Sequence, residues 1–379
     1  DLVFYGALVN YGPWADRQRA AMQRFFFPFI YRNAETSPML NPGEWRVHPS
    51  LRVYLRFVGR TVWRVPVREP SKHVKLGTQG AGGAGAGVGA EGPRAYGWLD
   101  IGFAGGSATI HVPMLTQRTL GSTTSAHVQL DAVTLASSVN YVDLLASRSV
   151  TVNVAMPSPQ VWNAPRTWDV GVALDAPVVH LLRDHITLIQ DLVADWGAVD
   201  VRIPRPPGHP LGVFVPFTYR VKVSVKDIEL RLCVNELNVI DVPNDLAENN
   251  YYIIHAHSLA ATVTIPLTRF QPTTTPVSFS ITLSDAHAHF SFSPSSTLGA
   301  FTSADARDSL RLARTCISGT YTYHAVASPL VPDLLQLTID AHSGTLAAYG
   351  YLARYLILLV DNYVGLTPEY MTLDEFKLA

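Results

Sequence analysis

Val215-Pro216-Phe217-Thr218-Tyr219-Arg220 leads into the alternating series Val221, Val223 and Val225, and it repeats almost word for word an earlier stretch, Phe27-Pro28-Phe29-Ile30-Tyr31-Arg32. Ala108-Thr109-Ile110-His111-Val112-Pro113 likewise returns as Ala261-Thr262-Val263-Thr264-Ile265-Pro266. The run Trp168 to Leu174, which feeds an amphipathic stretch ending at Trp196, returns as Leu335 to Ile339 before a stretch ending at Tyr363. Order is kept while spacing varies, so the chain reads as one supersecondary unit of roughly 170 residues used twice.

Within each unit, period two dominates. Leu51, Val53, Leu55 and Phe57 alternate with polar neighbours, as do Val150, Val152 and Val154; Phe279, Ile281 and Leu283; and Leu335, Leu337 and Ile339. Such alternation predicts strands with one apolar and one polar face. The apolar parity slips by one residue at Lys226-Asp227, before Ile228, Leu230 and Leu232, and at Ser284-Asp285, before Ala286, Ala288 and Phe290. Each slip reads as a bulge or a tight turn. Helical spacing is confined to three short pieces, Trp14 to Phe26, Asp184 to Trp196 and Tyr349 to Tyr363, each closing a unit. Asp184-His185 reads as a helix cap followed by an exposed imidazole. The expected division is residues 1–27 as the end of a preceding unit, 28–197 and 198–365 as two full units, and 366–379 as the start of a further segment. The chain is thus expected to be an internal, soluble piece of a longer protein.

Composition removes several classes of function. The 29 basic and 30 acidic residues leave a net charge of −1, which supplies no basic field for nucleic acid. Cys233 and Cys316 are the two cysteines; they read as small buried hydrophobes or a free thiol, not as a disulfide framework. No apolar run is long enough to span a bilayer. The Gly/Ala tract at 77–92 contains Gly87-x-Gly89-x-x-Gly92, but Pro93 and Arg94 follow where a phosphate loop needs a helix start, so it reads as a linker. His255, His257, His287 and His289 could place paired imidazoles on neighbouring strands and hold a metal, although no carboxylate stands at a matching third position. No nucleophile elbow is present. Neither catalytic residue, resident metal nor cofactor is expected.

The apolar strand faces admit two architectures. In one, two sheets close on each other as β-sandwich modules serving as scaffold or interaction surfaces. In the other, a single extended sheet curls into a trough that something apolar must fill.

Three stretches carry a resemblance that bears on this choice: Phe214 to Arg220, continuing through Leu237-Asn238-Val239-Ile240-Asp241 to Tyr251-Tyr252-Ile253-Ile254-His255; Ala261 to Leu267; and His180 to Ile186 with Asp191 to Trp196. Together they resemble the Tweek-type bridge-like lipid transfer proteins, in particular their fungal members, firmly over 166–365 and more loosely before Ala95. The resemblance implies a mainly β fold of tandem β-groove units. Each unit has about five antiparallel strands and one short helix, curled into an open hydrophobic channel. It also implies transport of glycerophospholipids, phosphatidylethanolamine among them, between donor and acceptor membranes. The place of action would be the cytosolic side of endoplasmic reticulum contact sites, with the membrane anchor elsewhere in the parent chain. With that fold, strand parity assigns the groove lining to Val53, Leu55, Ile110, Val112, Val150, Val152, Val170 and Val172 in the first unit. In the second it assigns Val221, Val223, Leu230, Leu232, Val263, Ile265, Phe279, Ile281, Leu335, Leu337 and Ile339.

Overall fold

A computed structural model of the chain describes residues 1–12, 51–70, 96–113, 122–138, 142–158, 165–197, 216–240, 247–267, 273–294, 308–324, 332–347, 350–365, 370–371 and 373–378, with isolated positions between them. The Gly/Ala tract, the echo at 27–32 and most of 14–26 lie outside the described residues. The alternating runs form β1 (Leu2–Tyr5), β2 (Leu8–Asn10), β3 (Leu51–Pro70), β4 (Tyr96–Val112), β5 (Ser122–Ser137), β6 (Val142–Ser158), β7 (Arg166–Asp175) and β8 (Val178–Leu181). After helix α1 (Arg183–Gly197) come β9 (Phe217–Cys233), β10 (Tyr251–Leu267), β11 (Thr274–Ser291), β12 (Leu310–His324) and β13 (Leu334–Leu346). Helices α2 (Leu352–Tyr363) and α3 (Leu373–Leu378) complete the described chain.

All of these strands join one thirteen-stranded sheet, eleven of them in the order β1, β3, β4, β5, β6, β7, β9, β10, β11, β12, β13, with β2 paired to β3 and β8 paired to β6 and β9. The sandwich alternative is thereby overturned, because no second sheet exists among the described residues to cover the apolar face of the first. From β3 to β7 and from β9 to β13, each strand is antiparallel to the next. The two meanders meet in a parallel pairing, from Arg166 opposite Phe217 to Asp175 opposite Lys226. A parallel pair needs a crossover connection, and α1 lies within it. Short β1 and β2 flank β3 in parallel in the same way.

A line of left-handed residues crosses the sheet. Gly6, Gly59, Ala132, Ala176, Asp227, Asp285 and Ser343 have φ of 60, 81, 48, 46, 51, 49 and 53°. The strand registers bring them to one level. Asp227 and Asp285 both lie opposite His257, and Asp285 and Ser343 both lie opposite Ala313. At that level the alternation of side chains reverses, so that Val221, Val223 and Val225 on one side and Ile228, Leu230 and Leu232 on the other share a face. The ring contact of Phe57 with Phe103, 5.1 Å between centroids, spans the same line and confirms that its two sides present one apolar surface. The slips at Asp227 and Asp285 are therefore neither turns nor bulges, since pairing on both flanks continues in unchanged register. Aspartate is among the few side-chain-bearing residues that tolerate this conformation, because its short polar side chain can bond locally. Register shifts do occur in β3, at Gly59 between Val58 and Thr61, and in β5 between Leu135 and Ala136.

Helices cover only one side of this crease. On the inner half, α1 buries Leu188 against Val65, Val67, Leu99 and Leu144. Helix α2 sets Leu352 and Tyr355 against Tyr252, Ala288, Phe290 and Phe292. The Tyr363 hydroxyl fastens α2 to the sheet by donating to the Leu181 carbonyl at 2.5 Å and accepting from the Cys233 amide at 2.9 Å. Cys233 and Cys316 are both free thiols, Cys233 buried and Cys316 half-buried.

At the start of α1 the sequence reading fails. His185 is fully buried, and its Nδ1 accepts the Leu182 amide at 3.1 Å. The helix turns this imidazole into the protein because the preceding strand β8 ends at the sheet surface. Burial pushes the His185 imidazole down to about 4. His180, whose Nε2 accepts from Arg231 at 3.1 Å, is lowered to about 4 by burial and by that cation.

A histidine depressed in the folded state binds its proton more readily when unfolded, so stability is full above about pH 6.5 and declines as the pH falls from there toward about 4. His185 alone is expected to remove about 2 kcal/mol by pH 5. Urea unfolding at pH 7 and pH 5 measures this, and His185→Asn, whose carbonyl can accept the same amide without titrating, should flatten the slope. Separately, exposed Ala132 carries a methyl in the left-handed region. Ala132→Gly should gain up to about 1 kcal/mol and Ala132→Val should lose about 1–2 kcal/mol, both read from the urea midpoint.

The uncovered apolar face

Outward of the crease, strand pairing extends one apolar row across the whole sheet. Leu2, Leu55, Ala108, Val128, Val152, Val172, Val223, Ala261, Ile281, Ile317 and Ile339 are successive register partners. The next row outward runs through Val53, Ile110, Ala126, Val154, Val170, Val221, Val263, Phe279, Gly319 and Leu337. Neither row breaks at the parallel junction, where Val170 meets Val221 and Val172 meets Val223. Equivalent echoes fall on equivalent rows: Ala108 and Ala261 share one, and so do Val172 and Ile339.

Every residue assigned from parity lies on this face, though not all in the same setting. Val112, Ile265 and Leu335 stand one row farther out, beside Leu51, Tyr219 and Tyr321, while Val150 stands nearest the crease beside Leu174. Leu230 and Leu232 lie inward of the crease; Leu232 packs against the cluster capped by α2, and Leu230 pairs with Ile254 of the same cluster. Those two are separated from the open rows by the line of left-handed residues. Val128, Leu130, Ala126, Val154, Leu259 and Ile317 belong to the open surface and were not anticipated. Strand β12 surrounds Ile317 with Thr, Ser and Gly, which dilutes the alternation there. The spacing of Ala126, Val128 and Leu130 was nevertheless a usable signal.

Nothing among the described residues covers the open half. Ala288 and Phe290 beneath α2 are 0% and 3% exposed, whereas Leu335, Leu337 and Ile339 of edge strand β13 are 54%, 53% and 64% exposed. The surface is smoothed where an aromatic ring meets a glycine. A Cβ on Gly319 would come within 2.9 Å of Phe279 Cζ, so the ring lies across the space that the glycine leaves.

The opposite face is polar. Lys222, Ser224, Thr262, Ser280 and Thr282 alternate with the apolar rows. On it a depression of about 440 Å³ is lined by His127, Asn153, Asp169, Arg220 and Lys222 among others. His127 Nδ1 lies 2.6 Å from Asn153 Oδ1. Arg220 makes a two-point ion pair with Asp169, and this guanidinium holds the Asp169 carboxyl below its usual range.

The four histidines do not converge on one point in this structure. The rings of His255 and His287 stack at 5.0 Å with a 17° tilt, and those of His255 and His289 at 5.9 Å with a 12° tilt. Parallel rings direct their nitrogens alongside one another instead of toward a common point. His257 lies apart on the crease, with Nδ1 2.8 Å from Asp227 Oδ1. Among the described residues no group of three His, Cys, Asp or Glu side chains is placed to hold a metal ion. Burial is the main cause that holds His255 and His289 below the ordinary imidazole range. No helix of the described residues is long and apolar enough to cross a membrane.

The sequence has relatives. Protein CSF1 of Saccharomyces cerevisiae is 28% identical over 382 residues, which is 99% of this chain and 12% of that protein. Protein CSF1 of Eremothecium gossypii is 26% identical over 378 residues, again 99% of this chain and 12% of the relative. Bridge-like lipid transfer protein family member 1 of Homo sapiens is 26% identical over 288 residues, 75% of this chain and 5% of the human protein. The chain thus spans about an eighth of the length of the CSF1 relatives it matches. The family model for the Csf1 N-terminal region matches residues 1–378. With a single β sheet, helices over one half of its apolar face and unbroken open rows along the other, the chain belongs to the Csf1 N-terminal region family.

Proposed function

We propose that this chain is a segment of a conduit that moves glycerophospholipids between membranes without vesicles, their acyl chains lying on the open apolar rows. The observation that carries the reading is the continuous row from Leu2 to Ile339, uninterrupted across both meanders and uncovered. An uncovered apolar surface of this extent in water calls for an apolar occupant. The human relative bears the name of a bridge-like lipid transfer protein, which makes a lipid the occupant to test first.

Solvation supplies the mechanism. A phospholipid with roughly thirty chain methylenes would lose on the order of 25 kcal/mol in water at ~0.8 kcal/mol per methylene. Contact with Val, Ile, Leu and Phe side chains removes much of that cost. These side chains offer no directional bonds to the chains, so a chain can pass from one strand to the next without a deep trap. Eleven strands spaced at ~4.8 Å give about 48 Å of path, long enough for a few lipids and too short to join two membranes. The chain would therefore lie within a longer assembly of such units. Residues 28–197 and 198–365 are two of them, 1–27 closes an earlier one and 366–379 begins another. On this reading the parent protein is anchored at the endoplasmic reticulum and acts at its cytosolic contact sites. Phosphatidylethanolamine is one cargo consistent with a lining that does not discriminate head groups.

Replacing Val223 and Ile281 together by Asp tests the assignment. In a closed core two such charges would unfold the protein at a cost of several kcal/mol each. On an open face they can reach water, so circular dichroism should report an intact β fold while lipid extraction and mass spectrometry report loss of phospholipid from the same sample. Undiminished phospholipid in a folded double variant would remove these rows from the transport path.

A further inference from the structure

Outward of the crease, the strand positions that share the open face carry Val, Leu, Ile, Ala, Gly, Met, Phe, Ser, Thr, Tyr and Trp, with Arg166 as the one ionised side chain at a described strand position. It heads β7, in register with Phe217 and on the same parity as Trp168, Val170 and Val172. Its Cζ lies 5.6 Å from the Phe217 ring centroid. Trp168 packs edge-on against Phe217 and Tyr219, at 5.2 and 5.4 Å, and completes an aromatic nest beside it. The guanidinium takes part in no salt bridge among the described residues, and Arg166 Nε is buried without a hydrogen-bond partner. The contrast with Arg220 on the opposite face is direct, because that cation is fully met by Asp169.

An arginine whose buried N–H lacks an acceptor is incomplete unless a ligand supplies one. Its position says which kind. Arg166 stands four residues outward of Val170, about 13 Å along the strand, where the apolar wall gives way to aromatics with polar edges. Amphipathic rings of this type sit at boundaries between apolar and wet surroundings. An amphiphile whose chains lie on Val170 and Val221 would bring its polar end to this place. A guanidinium fork pairs best with a planar or tetrahedral oxyanion that can take two parallel N–H bonds.

We propose that Arg166, backed by Phe217, Trp168 and Tyr219, is a docking point for the phosphodiester of a glycerophospholipid at the junction of the two meanders. The proposal rests on the groove reading above and deepens it. Phosphate is common to all glycerophospholipids, so the site registers the lipid's position without selecting its head group.

The test compares dihexanoylphosphatidylcholine below its micellar concentration with dihexanoylglycerol, which has the same chains and no phosphate, each displacing Nile red from the purified chain. Arg166→Gln should weaken the phospholipid about tenfold, the range expected for a charge-assisted bond, and leave the diacylglycerol unchanged. Arg166→Lys should recover part of the loss, and circular dichroism should be the same for all three proteins. Equal weakening of both ligands, or of neither, overturns the docking point while the groove reading stands. Hexanoate showing the same dependence on Arg166 overturns the assignment to a phosphodiester. If the wild type releases Nile red to neither ligand, the groove reading falls and the docking point with it.

Discussion

Side chains on a strand alternate between faces, so a slip of one residue in the apolar series would send half of each strand's apolar side chains to the wrong side of the sheet. Here the slip in β5, β9, β11 and β13 coincides with a residue in the left-handed region, Ala132, Asp227, Asp285 and Ser343. The reversal of the backbone there cancels the reversal of the sequence. Long strands thereby keep one apolar face from end to end while changing direction in the middle. Everything else about the molecule depends on that crease. It separates a half that helices can cover from a half that they do not reach, and because it runs at one level it keeps both rows of open side chains continuous across the sheet.

The two halves carry different tasks. Inward of the crease, α1 and α2 convert the sheet into an ordinary two-layer core, with Leu188, Ala288 and Phe290 almost wholly buried and the Tyr363 hydroxyl tying helix to strand. That core stabilises the fold and allows the outer half to remain open. The outer half is less buried than the inner, and the side chains of its row from Leu2 to Ile339 are mostly short. Valine, alanine and isoleucine dominate the row from Leu2 to Ile339, and in the next row the Phe279 ring lies across Gly319.

The parallel junction between β7 and β9 is where the two antiparallel meanders meet, and it is also where the open face gains its charge. Parallel pairing requires a crossover, which explains why α1 falls between these strands. It also sets two strand starts side by side. Arg166 and Phe217, each the first residue of its strand, can therefore meet on the same face beside Trp168 and Tyr219. No antiparallel neighbour pair in this sheet juxtaposes two strand starts in that way.

Much of this was legible in the chain. Period-two alternation determined the strands, their faces and most of the open rows, because each of those properties depends on residue type at a spacing of two. Repetition of short stretches determined that elements recur in the same order. Asp227 and Asp285 were visible as slips, but a slip in sequence is compatible with a turn, a bulge or a left-handed residue, and only the pairing of neighbouring strands distinguishes them. Tertiary structure alone also decided that one sheet forms instead of two, since an apolar strand face specifies that it must be covered and not by what. It moved Leu230 and Leu232 toward the helical core and drew Val128 and Ile317 into the open rows, because row membership is set by register across strands. His185 was read as exposed for the same reason: a helix start shows which residue can cap, while the direction in which its neighbour points depends on where the preceding strand ends.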